Sequence, residues 1–254
     1  MSDSQQITEE LRERREFVFL ILAGFFICSM TLLNVIGITR FVQLGPMQLA
    51  VGVLPYPLTF LCTDLVCELY GKRRANRMVT VGLILNFFIL AVLYLGQLVP
   101  AVGMESRPPW QDIPLSGEVG LPNGTVASGS IELFGLIYAT TSGAVFASML
   151  AYVAAQYIDV RLFHFWKRLT KGKHLWLRNN FSTMMSQLVD SFMVISVTFG
   201  AAFLRGEMAL GLLLVLMFNN YLFKFFAAAL DTPLVYFLVW KLKPYLQIED
   251  QKYE

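Results

Sequence analysis

The sequence predicts an all-α integral membrane protein with six transmembrane helices, the second of them interrupted at Pro55–Pro57. Three observations carry that prediction. Hydrophobic residues make up 56% of the 254 residues and charged residues only 15%, against about 25% charged in soluble chains. A water-soluble domain of this length has no interior large enough to hide so much apolar surface. Six segments are long and apolar enough for a bilayer core of ~30 Å, which takes about 20 residues of helix. The basic residues, finally, alternate from one side of these segments to the other.

The first 16 residues mix Glu9, Glu10, Arg12, Glu13, Arg14 and Arg15 and read as a tail, either a short surface helix or disordered. Residues 17–242 form the six-span domain and 243–254 a second polar tail. Within the domain, Phe17–Thr39, Met78–Val99, Ile131–Tyr157 and Met184–Leu204 are uniform spans. Ala209–Val239 is longer and carries polar residues, so it reads as one long tilted or kinked helix. Met47–Leu69 is apolar enough to cross but contains Pro55-Tyr56-Pro57. Two prolines remove two backbone donors and fix φ near −65°. A continuous helix is not expected there, and a half-helix beginning near Pro57-Leu58-Thr59 would carry Thr63, Asp64 and Glu68. Broken backbone at membrane depth is tolerated where protein or a water-filled cavity satisfies it, and many secondary transporters hold solute at such breaks.

With the N-terminus in the cytoplasm, the inner segments hold Arg12, Arg14, Arg15, Lys72, Arg73, Arg74, Arg77, Arg161, Lys167, Arg168, Lys171, Lys173, Arg178, Lys241, Lys243 and Lys252. The outer segments hold only Arg40, Arg107 and Arg205, and Lys224 falls inside a span. Sixteen of the 20 basic residues are thus inside, which puts both termini in the cytoplasm and places the 100–130 loop outside. Net charge is only +2, so no global field points to nucleic acid. Cys28, Cys62 and Cys67 lie in apolar stretches and read as small buried hydrophobes. His164 and His174 lack metal-ligand spacing and lie outside the spans, so neither a metal site, a cofactor nor an intramembrane enzyme is expected. Asn123-Gly124-Thr125 has the form of a glycosylation sequon but reads as a turn.

Charged groups at the bilayer centre cost at least ~2.5–3.5 kcal/mol, so each needs a reason. Asp64 lies eight residues before Lys72, about 12 Å into the membrane, and Glu68 one turn nearer the surface. Asp190 lies about 18 Å deep, with Gln187 on its face. Lys224 sits mid-span, with Asn220 four residues before it and Asp231 seven after, one stripe of one helix. Asn219 adjoins that stripe, and Asn34 and Asn86 add amides in the first and third spans. Lys224 can neutralise Asp64, Asp190 or Asp231 as a structural pair. Three acids, a lysine and several amides exceed what one pair needs, so a hydrated cavity for a polar solute is the reading preferred.

The stretch from Leu54-Pro55-Tyr56-Pro57 through Thr63-Asp64 and Glu68 to Gly71 resembles the signature of the queuosine precursor transporters, also called the vitamin uptake transporter family. Gln156-Tyr157-Ile158-Asp159, Trp176 to Thr183 with Gln187-Leu188-Val189-Asp190-Ser191, and Tyr221-Leu222-Phe223-Lys224 continue the resemblance in order, across roughly Phe17 to Leu242. The charged tail and the 100–130 loop fall outside it. The resemblance implies an inner-membrane importer of 7-deazaguanines, chiefly 7-cyano-7-deazaguanine and its aminomethyl relative, for tRNA modification. It also implies a fold similar to the substrate-binding subunits of energy-coupling-factor transporters.

A 7-deazaguanine presents an N1–H beside a 2-amino group, and one carboxylate can accept both. Asp64, Asp190 and Glu68 are candidates for that role. Lys224, Gln187, Asn219 and Asn220 are candidate donors to the O6 acceptor, and Tyr56, Phe60 and Tyr221 candidate faces for the ring. The alternative is a substrate-binding subunit docked on a separate ATPase, for which Ala147, Ala151 and Ala155, and Ala227 and Ala229, offer small-residue faces. The partners expected are a small 7-deazapurine and the lipid bilayer. Monomer and homodimer both stay open, as does proton coupling against facilitated passage.

Overall fold

The computed structural model describes residues 3–169 and 175–248. Six helices dominate it: α1 (Asp3–Val35), α2 (Tyr56–Tyr70), α3 (Lys72–Leu98), α4 (Leu133–Leu169), α5 (Leu175–Leu204) and α6 (Leu210–Tyr245). Between α1 and α2 come β1 (Phe41–Leu44), β2 (Met47–Ala50) and a 3-10 turn, Val51–Val53. Between α3 and α4 come β3 (Asp112–Pro114), β4 (Val119–Gly120), β5 (Val126–Ala127) and β6 (Ser130–Glu132). Each of six segments is long and apolar enough to span a bilayer, and many of the large apolar side chains left exposed, Phe17, Phe87, Phe88, Phe226 and Trp240 among them, belong to these helices. Lipid is their solvent. The protein is a multi-pass membrane protein.

Most helix ends extend past the apolar spans. α1 begins at Asp3, so the described part of the charged tail is helical and continuous with the first span. α4 runs on to Leu169 and α5 begins at Leu175. α6 is a single helix with Pro233 and Pro244 inside it.

The second span departs most from expectation. Its first half is no helix: the residues before Pro55 form an antiparallel hairpin with Gln43 opposite Gln48, then the 3-10 turn. Gly45, at φ 56, supplies the left-handed residue of the Gly45-Pro46 turn. Pro55 caps α2 and Pro57 lies in its first turn, where missing N–H groups cost nothing. The prolines therefore start a helix instead of kinking one. With 15 residues, α2 is about 22 Å long, short of the ~30 Å core. It stops at Gly71, whose φ 85 and ψ 159 are open essentially to glycine alone. The Gly71 N–H donates to Cys67 O at 3.0 Å and its carbonyl accepts from Arg74 N at 3.1 Å. One residue thus ends α2 and opens α3.

The chain divides into two compact units, residues 1–32, 54–85 and 226–254 in the first and 33–53 and 86–225 in the second. In the first, Phe26 of α1 packs with Cys62 and Val66 of α2 and Ala75 and Met78 of α3. Gly82 lets α3 approach, because a Cβ there would lie 3.1 Å from the Phe26 ring. Leu65 and Leu69 of α2 meet Leu246 and the apolar residues Val235, Leu238 and Leu242 of α6. The end of α6 is closed by Ile248 N donating to Lys243 O at 3.0 Å and Gln247 N to Pro244 O at 3.1 Å, with Gln247 at φ 47. Arg15 then takes the last carbonyls, donating to Leu246 O at 2.9 Å and Gln247 O at 2.7 Å, as helix C-termini require.

In the second unit α4 packs chiefly on α5. Ala147, Ala151 and Ala155 are buried, small residues that let backbones approach. A second core joins Ile195 and Phe199 of α5 to Leu213, Leu216 and Met217 of α6. The loop after α3 is ordered by the β3–β6 and β4–β5 pairs and by Arg107 Nη1 on Asp112 Oδ1 at 3.0 Å. Arg205 ties the turn after α5 to this loop, donating to Leu121 O at 3.4 Å and through Nε to Glu207 Oε1 at 2.7 Å. Of the cysteines only Cys62 is buried; Cys28 and Cys67 are exposed, against the expectation that all three are buried.

Two predictions follow from this architecture. Gly52 packs so closely on the end of α1 that a Cβ would lie 2.6 Å from Leu33 O and 2.7 Å from Gly37 Cα. Gly52→Val should therefore lower stability by about 1–3 kcal/mol, the usual cost of overpacking, read as a lower thermal midpoint in detergent. The hydrogen bond from Arg205 holds the Glu207 carboxyl below its ordinary 4.5, with the Arg205 charge adding to it against a loss of hydration. A depressed carboxylate stabilises the fold above its unfolded value and stops doing so as pH falls through the folded one. Amide exchange at Leu121 and Gly124 should accordingly quicken below pH 4.5, and Glu207→Gln should abolish that pH dependence.

Candidate functional site

The candidate groups fall into one set in each unit. In the second unit, Asp190 comes from α5 and Lys224 from α6, and the ammonium is paired with Asp190 Oδ2. Lys224 is 4% exposed at its side chain, deep in a span. Of the three acids that the sequence left open as its partner, Asp190 is the one that the structure pairs with it. Asn220 is buried one turn before Lys224, and Asn219 beside it. Gln187, one turn before Asp190, is half-buried, and the neighbouring Ser191 hydroxyl is buried without a hydrogen-bond partner among the described residues.

The hairpin that replaces the start of the second span belongs to this set. Leu49 is 1% exposed, so β2 is part of the core of the unit. Its Gln48 carbonyl accepts from Asn219 Nδ2 at 3.3 Å, a side chain satisfying backbone that no helix satisfies. Gly52 N donates to Gly37 O at 3.0 Å and Val51 N to Arg40 O at 2.8 Å. A second polar knot lies where α1 ends. Asn34 Nδ2 donates to Asn86 Oδ1 at 3.3 Å and Ser148 Oγ to Asn34 Oδ1 at 2.9 Å, joining α1, α3 and α4. Ser148 and the Gln48 carbonyl escaped the sequence reading, and Ser191 entered it only as part of the resemblance. Gly45-Pro46 between two short alternating runs was the available signal for the hairpin, and a serine in a span carries none.

In the first unit, Tyr56, Phe60, Asp64 and Glu68 recur every four residues along α2, and neighbours at that spacing share a helix face. Tyr56 and Phe60 stack edge to face with centroids 4.7 Å apart. Thr59 and Thr63 turn their hydroxyls back onto the helix carbonyls, Thr59 to Tyr56 O at 2.7 Å and Thr63 to Phe60 O at 2.8 Å. Asp64 is exposed. Glu68 is drawn into an ion pair with Lys243 of α6 at 3.3 Å, a structural use that sequence spacing did not reveal. Asp231, like Asn220 and Lys224 of the same stripe, is buried on α6. Tyr221 is half-buried. The side chains of Gln156, Tyr157 and Asp159, and of Trp176 to Thr183, lie outside the described residues.

Residues 50–238 match the family described as "Putative vitamin uptake transporter". The chain belongs to this family. A curated relative named "Probable queuosine precursor transporter", from Bacillus subtilis (strain 168), is 26% identical over 204 residues, covering 78% of this chain and 75% of its own. No solved structure matches the chain. The match takes in Pro55-Tyr56-Pro57, the whole of α5 and the Lys224 stripe of α6, so Asp64, Glu68, Asp190, Asn219, Asn220, Lys224 and Asp231 lie inside it, while Gln48 and Lys243 lie outside. Membership makes this vitamin uptake transporter a transport protein and not an enzyme. Similarity to the energy-coupling-factor subunits stays an expectation of sequence.

The pair at the centre of the second unit has a measurable signature. Breaking a buried ion pair from one side strands a charge and costs about 3–5 kcal/mol, whereas replacing both partners by apolar groups is often close to neutral. Asp190→Asn and Lys224→Met should each lower the unfolding midpoint markedly. The double variant Asp190→Leu/Lys224→Met should recover most of the loss, and additive losses in the double variant would mean that the two groups do not act as a pair.

Proposed function

We propose that this protein imports queuosine precursors, 7-cyano-7-deazaguanine and related 7-deazaguanines, across the inner membrane with both termini in the cytoplasm. The observation that carries this reading is the polar set buried in the second unit, Asp190 with Lys224, Asn219, Asn220 and Gln187. A bilayer protein with no polar solute to handle has little use for so many such groups in one place. The name of the B. subtilis relative supports the same class of solute. The distribution of basic residues supports the orientation.

The chemistry runs as follows. A carboxylate has about four lone-pair positions. Lys224 occupies one on Oδ2 of Asp190, which leaves the carboxylate able to accept the N1–H and 2-amino donors of the base together. The base O6 accepts from an amide of Asn219, Asn220 or Gln187, and the lysine keeps the site neutral while it is empty. On α2, Tyr56, Phe60 and Asp64 contribute to transport, whereas Glu68 is held by Lys243. The alternative, a subunit that docks on a separate ATPase, finds no open face at Ala147, Ala151 and Ala155, which are buried, and keeps Ala229, which is exposed.

Binding to the purified protein and uptake into proteoliposomes test the proposal. Hydrogen bonds to a charged group contribute about 1.5–3 kcal/mol, so Asp190→Asn should weaken binding of 7-cyano-7-deazaguanine roughly 10- to 150-fold. Asp64→Asn and Lys224→Met should reduce uptake, while Glu118→Gln in the long loop should leave it unchanged. Normal transport in all three span variants would end the proposal.

A further inference from the structure

The first unit holds a carboxylate that neither the pairing at Asp190 nor the reading of the base uses. Asp231 of α6 is 7% exposed, and its Oδ2 has no hydrogen-bond partner among the described residues. The Asp64 carboxylate of α2 acts on it electrostatically, and Asp231 acts in turn on the Cys62 thiol of the same helix. Leu65 and Leu69 of α2, packed on Val235, Leu238 and Leu242 of α6, fix the two helices against each other. The Glu68–Lys243 ion pair adds a polar tie between them. From α1, the charged residues Arg15 and Glu16 are engaged elsewhere, Arg15 on the end of α6 and Glu16 on Arg74. On α6 itself, Lys224 lies seven residues before Asp231 and is paired with Asp190.

A buried carboxylate oxygen that accepts no hydrogen bond is costly when ionised, and a second carboxylate beside it raises the cost. One proton relieves both. Asp64 is exposed where Asp231 is not, and an ionisable group exposed at membrane depth belongs in water and not in lipid. The pair therefore has an accessible member and an occluded one.

We propose that Asp64 and Asp231 form a proton-binding pair that takes up and releases one proton and couples this exchange to transport. The proton enters from water onto Asp64, passes to the unpartnered oxygen of Asp231, and leaves to water when the pair releases it. Only O–H bonds are made and broken, and the pair alternates between one negative charge and two. The coupling rests on the transport reading above; the existence of the proton site does not.

The test keeps the two apart. In purified full-length protein, infrared difference spectra taken as pH is lowered from mildly alkaline to mildly acidic should show the carbonyl stretch of a protonated carboxylic acid, shifted in deuterated water. Asp231→Asn should lack that band and Asp231→Glu should retain one. In proteoliposomes, Asp231→Asn should still bind 7-cyano-7-deazaguanine and exchange it across the membrane. It should no longer accumulate the base against its gradient, whereas the unmodified protein does so until the proton gradient is collapsed. Loss of the band in the unmodified protein, its survival in Asp231→Asn, or accumulation that follows sodium and ignores the proton gradient would overturn the proposal. Failure to bind any deazaguanine with the band intact would instead remove the substrate reading and leave the proton site standing.

Discussion

Hydrocarbon supplies no hydrogen bonds, and that single property of the solvent explains why the region before α2 is built as it is. A helix carries its own backbone partners across the bilayer; this chain gives them up between Val35 and Tyr56. The hairpin pairs its two strands with each other. Gly52 and Val51 donate back to Gly37 and Arg40, and the Gln48 carbonyl is met by the Asn219 amide. Prolines are placed where α2 begins and donors are surplus. Every device serves one requirement, that backbone released from helix be answered by other protein groups.

The same requirement governs charge. Lys224 and Asp190 are tolerable together in a span and expensive apart, and their pairing fixes α5 against α6 at a level where the rest of the contact is Ile195, Phe199, Leu213 and Leu216. Glu68 and Lys243 are a partly exposed pair near the end of α6, where water is close and such pairs contribute little to stability. Asp231 stands apart from both. Its burial without a donor on Oδ2 is hard to understand as a stabilising feature and easy to understand as a working one.

Much of this was legible in the residues. The six spans, the long last helix and the stripe of Asn220, Lys224 and Asp231 followed from hydropathy and from the 3.6-residue period. The break at Pro55-Tyr56-Pro57 followed from proline's missing donor. The hairpin did not. Phe41–Leu44 and Met47–Ala50 are each four residues long, too short for periodicity to separate a strand from the edge of an apolar span. The continuous run of α1 from Asp3 was equally hidden, because a charged helix turn and a charged coil look alike in composition.

What the sequence determined by itself was which groups enter the membrane, since transfer into hydrocarbon is priced residue by residue and the pattern of apolar runs records it. It also marked where the second helix begins, because Pro55 and Pro57 act locally, whereas Pro233 and Pro244 did not stop α6. Tertiary structure alone decided the partners: Asp190 for Lys224, Lys243 for Glu68 and Gln48 for Asn219. These pairs are separated by tens of residues or more, and a chain written in one dimension carries no term for the distance between two helices. Coulomb attraction and hydrogen bonding decide over a few ångströms, and only the packed helices set those.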